Sequence, residues 1–292
     1  MTGRRLEYAL LVLLAGLWGS SYVALKVAVA EFPPLTVIAL RVSIAAAVLV
    51  AILYARGDRL PKGAQTWRAL LVQSFFSASA PWPLLAWGTQ RIDASLAGVL
   101  NSTSPIWVFF ITALITRHEP MTWLKFLGAG GGMAGVLIVI GWSPAAAAGA
   151  DTAGQLAAVA SAMLYASAAV WGTRYSGASV TAVAAGTMIW SSICLIPLSL
   201  AFEQPWTLRP SREASIAVLY LGLVTTAAAM LLYFRLVKTL GSLGVASQAY
   251  LRAGWSVLLG VVLLGEAFTV QVAIGLGAIV LAVSAINART AR

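Results

Sequence analysis

Displaced by 147 residues, this chain lies on itself without a gap. Glu119, Thr122, Gly128 and Gly130 fall on Glu266, Thr269, Gly275 and Gly277. Ser95-Leu96 falls on Ser242-Leu243, and Leu84-Leu85 on Leu231-Leu232. Near the N-terminus, Val12, Ala15, Leu17, Ser20 and Val23 meet Val159, Ala162, Leu164, Ser167 and Val170. The match runs nearly end to end, so the expected units are 1–146 and 147–292. In a strongly apolar chain, such a repeat points to a membrane transporter.

The chain is apolar enough for that reading. Only 10% of its residues are charged and 60% are hydrophobic, whereas a soluble domain carries about 25% charged residues. The net charge of +10 raises nucleic acid as a partner. The distribution argues against it, because the basic residues sit in short gaps between apolar runs and form no basic, aromatic-studded face. Arg4 and Arg5 before an apolar stretch imitate a signal peptide, but Leu6 to Ala30 is too long for its apolar core and more such runs follow. The stretch reads as a retained first span. The single cysteine, Cys194, rules out an intramolecular disulfide and a Cys-based zinc site.

About 20 apolar residues cross the hydrocarbon core as a helix. The sequence places ten such spans near 6–30, 34–54, 68–88, 94–115, 123–142, 153–173, 179–201, 213–234, 243–263 and 269–288. The expected class is therefore an all-α polytopic membrane protein with the lipid bilayer as its main partner. Thirteen basic residues fall on one side: Arg4, Arg5, Arg56, Arg59, Lys62, Arg68, Arg117, Lys125, Arg174, Arg235, Lys238, Arg289 and Arg292. The other side has four, Lys26, Arg91, Arg209 and Arg212. The positive-inside rule then puts both termini in the cytoplasm. Five spans per copy is an odd number, so the second copy enters from the opposite face. The two five-helix repeats become an inverted pair around a central cavity, the arrangement that supports alternating access. The Ala/Gly-rich stretch Ser143–Thr152 is the expected hinge.

Several motifs carry a family resemblance. They are Leu17-Trp18-Gly19-Ser20-Ser21, Pro33-Pro34 followed by Leu40-Arg41, and the segment Asn101 to Pro105. Glu119-Pro120-x-Thr122 before a Gly-rich span, and Gly265-Glu266 with Thr269, complete them. In this order, and with the repeat, the chain resembles the EamA-type ten-helix members of the drug/metabolite transporter superfamily. Within that group it is most similar to the bacterial aromatic amino-acid exporters of the YddG type. The resemblance implies a bacterial inner-membrane exporter of amino acids, aromatic and other neutral or apolar ones. It also implies that spans 1, 3, 4, 6, 8 and 9 surround the cavity, with spans 5 and 10 peripheral.

The residues offer their own candidates for a small-molecule site. Gln248 and Arg252 are four apart on span 9 and share a helix face. A charge at mid-span is costly unless it meets a partner or a wet cavity. Arg252 then either attracts a substrate carboxylate or ties helices together through carbonyls. Gln248 matches Asn101 in the repeat, placing two amides at one depth; Tyr250 lies between Gln248 and Arg252. Trp18, its repeat partner Tyr165, and Trp82 between Pro81 and Pro83 are aromatic wall candidates. Ser77, with Ser79 and Gln73 on the same span, supplies polar contacts. Pro81 and Pro83 free backbone groups, which suits a bend at a cavity or gate.

Other residues read as scaffold. Arg41 is expected to snorkel or pair with carbonyls, and Lys26 to snorkel. Glu119 and Glu266, with Thr122 and Thr269 as N-caps, are expected to favour the positive ends of spans 5 and 10, although their symmetric places also suit a gate. Gly128, Gly131, Gly132 and Gly135 suit close helix packing or a homodimer face.

Absences narrow the mechanism. No Asp or Glu lies in the middle third of any expected span, which disfavours a buried-carboxylate relay and suggests facilitated efflux or exchange. One histidine, His118, leaves no raw material for a His/Cys metal site, and no Walker A motif is present. No cofactor is expected. The competing readings are an exporter of another small metabolite or drug, a channel, an intramembrane enzyme and a receptor. An enzyme would need a nucleophile with a base or metal ligands inside the spans, and the serines have neither.

Overall fold

The computed structural model of the chain describes all residues but 1, 112–122, 141–150, 173–178, 234, 237–238, 240–247 and 288–292. Side chains at 2–4, 124–125, 136–137, 139–140, 151, 172, 249–250, 283 and 285–287 are also outside the description. Among the described residues there are helices and no strand. Each of the ten expected spans contains helix.

Spans 1 and 2 are Thr2–Val29 and Pro34–Ala55. Pro33 is extended and Pro34 occupies the first turn of span 2, where a missing N–H costs nothing. Spans 5, 6 and 7 are Trp123–Ile140, Asp151–Gly172 and Val180–Phe202. Spans 9 and 10 are Gln248–Leu264 and Val270–Asn287. Among the described residues six helices, those of spans 1, 2, 3, 6, 7 and 8, are long and apolar enough to cross a membrane; spans 9 and 10 contribute shorter apolar helices. Large apolar side chains such as Leu13, Phe75, Ile193, Leu219, Leu258 and Leu281 are exposed on the outside of the bundle. That surface requires lipid rather than water.

Among the described residues, three spans are interrupted, each for a readable reason. Span 3 runs Ala64–Ser74, then a π-helical turn Phe75–Ser79, then Pro81–Thr89. Pro81 and Pro83 have no N–H and their rings crowd the preceding turn, so the ladder widens; Ala80 N–H bonds back to Phe75 O at 3.1 Å. Span 8 has Arg212–Gly222 followed by a π-turn at Leu223–Ala228, without any proline. There the Thr225 and Thr226 hydroxyls donate to the Leu221 carbonyl, at 3.0 and 2.8 Å, and displace the normal ladder. Displaced by 147 residues, the first π-turn falls on the second. Span 4 breaks between Ala94–Asn101 and Ser104–Phe110. Pro105 cannot donate to the Asn101 carbonyl, and the Ser104 hydroxyl does so instead, at 2.8 Å.

The packing pairs spans 5 with 10, 2 with 7, and 4 with 9. Span 1 lies against 8 and 9, as span 6 lies against 3 and 4; span 2 meets 8 as span 7 meets 3. Every one of these contacts has its counterpart five spans on. Gly132 and Gly135 face Ala282, Ala278 and Gly275 across the 5–10 contact. Those glycines serve packing within the chain, while Gly130 and Gly131 have open space around them. The Ser143–Thr152 hinge and the Glu119 and Thr122 cap lie almost wholly outside the described residues.

Candidate substrate site

Arg41 stands at the centre of the polar groups inside the bundle. It is 7% exposed, on a face of span 2 shared with buried Ile38, Val42 and Ala45. Span 8 approaches it closely at Gly222, where a Cβ would meet Ile44 and the Arg41 carbonyl. One turn on, Thr226 accepts a hydrogen bond from Arg41 Nε at 2.9 Å. The guanidinium carbon lies 4.0 Å from the centroid of the Trp82 ring. The expectation that Arg41 snorkels or pairs with carbonyls is therefore corrected. It points inward, and its partners are a hydroxyl and an aromatic face.

Tyr22, Tyr165 and Arg252 complete the group. Tyr165 lies within electrostatic reach of both guanidinium groups, of Tyr22 and of Trp82. Tyr22 likewise feels Arg252 and Arg41. The Trp82 indole Nε1 is buried without a hydrogen bond of normal geometry, although the Tyr165 hydroxyl neighbours it. Arg252 Nε and Gln248 Oε1 are buried and unpartnered as well. Spans 1, 2, 3, 6 and 9 thus converge on one polar cluster with aromatic walls. Tyr22 was missing from the sequence expectation, and Arg41 was read as scaffold. The signal for Arg41 was present: a cation seven residues into an apolar run.

Arg41 is held by two contacts. Its stack on Trp82 is worth about 2 kcal/mol when desolvated, and a hydrogen bond from a charged group about 1.5–3 kcal/mol. A guanidinium has five N–H donors, and among the described residues only Nε–H has a protein acceptor. Of the two arginines, the buried donor left without an acceptor is Arg252 Nε, at a cost of about 1–3 kcal/mol. No carboxylate of a described residue pairs with Arg41 or Arg252. Four of the described acids are held at the ends of the bundle: Glu7 on Arg235 and Thr239, Glu31 on Ser211, Glu203 on Leu35 and Thr36, and Glu266 on Ala94 and Ser95; Asp58, Asp93 and Glu213 lie at helix ends or in loops.

The remaining candidates divide. Asn101 is 1% exposed, and its amide is occupied. Its Oδ1 accepts from the Tyr22 hydroxyl at 3.1 Å and its Nδ2 donates to Ser161 Oγ at 3.2 Å. It holds spans 1, 4 and 6 together and orients Tyr22. Ser77 sits on the π-turn of span 3 with its Oγ buried and unpartnered, as is Gln73 Oε1. Ser79 is tied up with Ser74 and Ser191. Trp18 is not brought to the cluster. It packs on Tyr233, ring centroids 5.6 Å apart, in a separate apolar group with Leu11, Leu14 and Leu236. Tyr250 lies on the helix, but its side chain is outside the described residues. Trp255 covers Gly16 and Gly19 and acts in packing.

The end of the bundle opposite the start of span 1 is tied shut by charges on helix termini. Lys26 Nζ donates to the carbonyls of Thr89 and Ile92 at 2.9 and 2.7 Å. It therefore does not snorkel. It binds the carbonyl end of span 3, where a cation is favoured. Glu266 accepts from Ala94 N–H and Ser95 N–H at 2.6 and 2.9 Å. Left-handed Gly265 turns the chain at the end of span 9, and Gly260 leaves room for the carboxylate. Thr269 does cap span 10, accepting from Val272 N–H at 3.2 Å. Glu266 serves the positive end of span 4 instead of its own helix. The short turn between spans 3 and 4 is thus gripped from span 1 and from the end of span 9.

The comparisons with known proteins place this arrangement. The profile of the EamA-like transporter family matches residues 6–141 and again 152–288. The chain belongs to the EamA-like transporter family. This EamA protein is 26% identical over 270 residues to the uncharacterised inner membrane transporter YedA of Escherichia coli strain K12, covering 91% of this chain and 86% of YedA. It is 24% identical over 219 residues to the uncharacterised transporter YoaV of Bacillus subtilis, covering 75% of each. A crystal structure of a protein 22% identical covers 96% of both chains with a TM-score of 0.66, which shows a shared fold. The chain is thus a multi-pass membrane transporter with a small-molecule substrate, in the drug/metabolite transporter superfamily.

Proposed function

We propose that this protein exports small carboxylate-bearing metabolites from the cytoplasm, amino acids with aromatic and other neutral or apolar side chains included, as the YddG-type exporters do. The observation that carries this reading is the convergence of Arg41 and Arg252 on Tyr22, Tyr165 and Trp82. Two cations attract a carboxylate, and the aromatic walls suit an apolar side chain. The protein works without chemistry on its substrate.

Transport is by alternating access between inverted halves, 1–146 and 147–292. The paired span contacts and the two family matches support that division. The bacterial inner membrane is its location, by analogy with YedA, and both termini are cytoplasmic, on the Lys/Arg asymmetry of the loops. Transport is facilitated efflux or exchange, since no described acid lies at mid-span to relay protons.

The test is uptake into proteoliposomes with a panel of labelled amino acids and other carboxylates, with and without a pH gradient. Saturable movement that Arg252→Ala impairs is expected. If no carboxylate moves saturably, the reading is wrong, and a channel would instead show conductance without saturation.

A further inference from the structure

We propose that the substrate crosses as a net anion: an aromatic or apolar carboxylate without a free ammonium is preferred over the zwitterionic amino acid, and the membrane potential drives its exit. The inference rests on the export reading above and narrows its substrate class.

Charge matching in the cluster is the first support. Arg41 stacks on Trp82 and donates to Thr226, Arg252 Nε is buried without a partner, and no carboxylate of a described residue pairs with either. A zwitterion would bring one carboxylate for two guanidinium groups and add an ammonium that needs its own partner. The Trp82 face, the natural seat for an ammonium, is already covered by Arg41 at 4.0 Å. Among the described residues no carboxylate is present to receive it. The amide of Gln248, one turn before Arg252 on span 9, is neutral and offers an ammonium no charge.

Hydrogen-bonding capacity points the same way. Arg252 Nε is a buried donor without a partner. Indole and guanidinium N–H groups cannot accept. A carboxylate accepts only, so it complements the Arg252 donor, and the unpartnered Gln248 Oε1 is left for a donor elsewhere on the substrate. An α-hydroxyl in place of the ammonium can accept as well as donate, so it adds no uncompensated charge.

The missing acids then have an energetic meaning. An anion leaving an inside-negative cell moves with the field. At 100 mV the field favours its exit about fifty-fold per charge, equivalent to about 2.3 kcal/mol. Such a substrate needs no proton or sodium site. A zwitterion gains nothing from the potential and would need another drive.

Matched pairs test this in proteoliposomes of the full chain: phenylalanine against 3-phenyllactate, and leucine against 2-hydroxyisocaproate. Potassium gradients with valinomycin set the potential. The hydroxy acid should show a KM about tenfold or more lower than its amino acid, one charged contact being worth about that factor. Its initial flux should rise when the receiving side is made positive. Arg252→Gln should abolish the preference while retaining the wild-type melting behaviour. If the amino acid is preferred, or hydroxy-acid flux ignores the potential, the anion proposal is overturned while the export reading stands. If neither member of any pair moves saturably, the export reading fails with it.

Discussion

The guanidinium of Arg41, on span 2, lies 4.0 Å from the centroid of the Trp82 ring, on span 3. The pair joins a buried cation to the span whose ladder is opened by Pro81 and Pro83. It also connects that span to the second π-turn, because Arg41 Nε donates to Thr226 in span 8. Arg41 thus contacts the π-turn of span 8 through Thr226 and, through Trp82, the helix that follows the π-turn of span 3, so a change in charge there is felt by two interrupted helices at once.

Arg41→Met should separate function from stability. Methionine keeps an apolar stem of similar length and removes the cost of burying a charge that no described carboxylate pairs, which offsets the lost contacts to Thr226 and Trp82. The variant should melt at or above the wild-type temperature in detergent and lose saturable transport. A marked fall in melting temperature would assign Arg41 to scaffold.

Trp82→Phe should weaken the seat of Arg41 without emptying it. Phenylalanine retains an apolar ring but a weaker face for a cation, so about 1 kcal/mol of the interaction is lost. KM should rise about fivefold with the melting temperature nearly kept. Trp82→Ala adds a cavity and should cost about 3 kcal/mol of stability as well.

Glu266→Gln tests the closure between spans 9 and 4. A neutral amide keeps one acceptor but loses the charge-assisted bonds to Ala94 and Ser95, about 1 kcal/mol at a helix N-terminus. That biases the open state about fivefold. A single cysteine at Ser95 in a Cys194→Ser background should be labelled severalfold faster when Glu266 is replaced. Unchanged labelling would exclude a closing role.

Glu31 supplies a pH dependence. Hydrogen bonds from the Ser211 hydroxyl, and then from the Ser211 backbone N–H, hold its carboxyl below the ordinary value of 4.5. A lowered folded value means the contribution is complete above the unfolded value. It is lost as pH falls through the folded one. Melting temperature should therefore drop on acidification below about pH 4.5, with a shallower drop in Glu31→Gln. Parallel acid profiles for the two proteins would contradict the contact.

Sequence alone determined the helical membrane class, the ten spans and their approximate bounds. These depend on the length and periodicity of apolar runs, which are local properties of the chain. The interruption of span 3 at Pro81 was equally legible, since proline removes a donor wherever it stands, whereas span 4 was read as unbroken and its break at Pro105 came from the structure. The π-turn of span 8 was not. It depends on Thr225 and Thr226 turning their hydroxyls onto Leu221, a choice that serine and threonine make only in context. Tertiary structure also decided the site. Arg41 and Arg252 are both mid-span cations, and a linear pattern cannot tell a snorkelling side chain from one that faces a tryptophan across the bundle. Trp18 and Tyr165 are repeat partners in sequence, yet one packs on Tyr233 and the other joins the arginines. Asn101 was recognisable as a polar group at depth, but only the fold showed its amide already held by Tyr22 and Ser161. Burial, partner and direction belong to pairs of helices. They arise when spans distant in sequence pack together and leave some donors matched and others waiting.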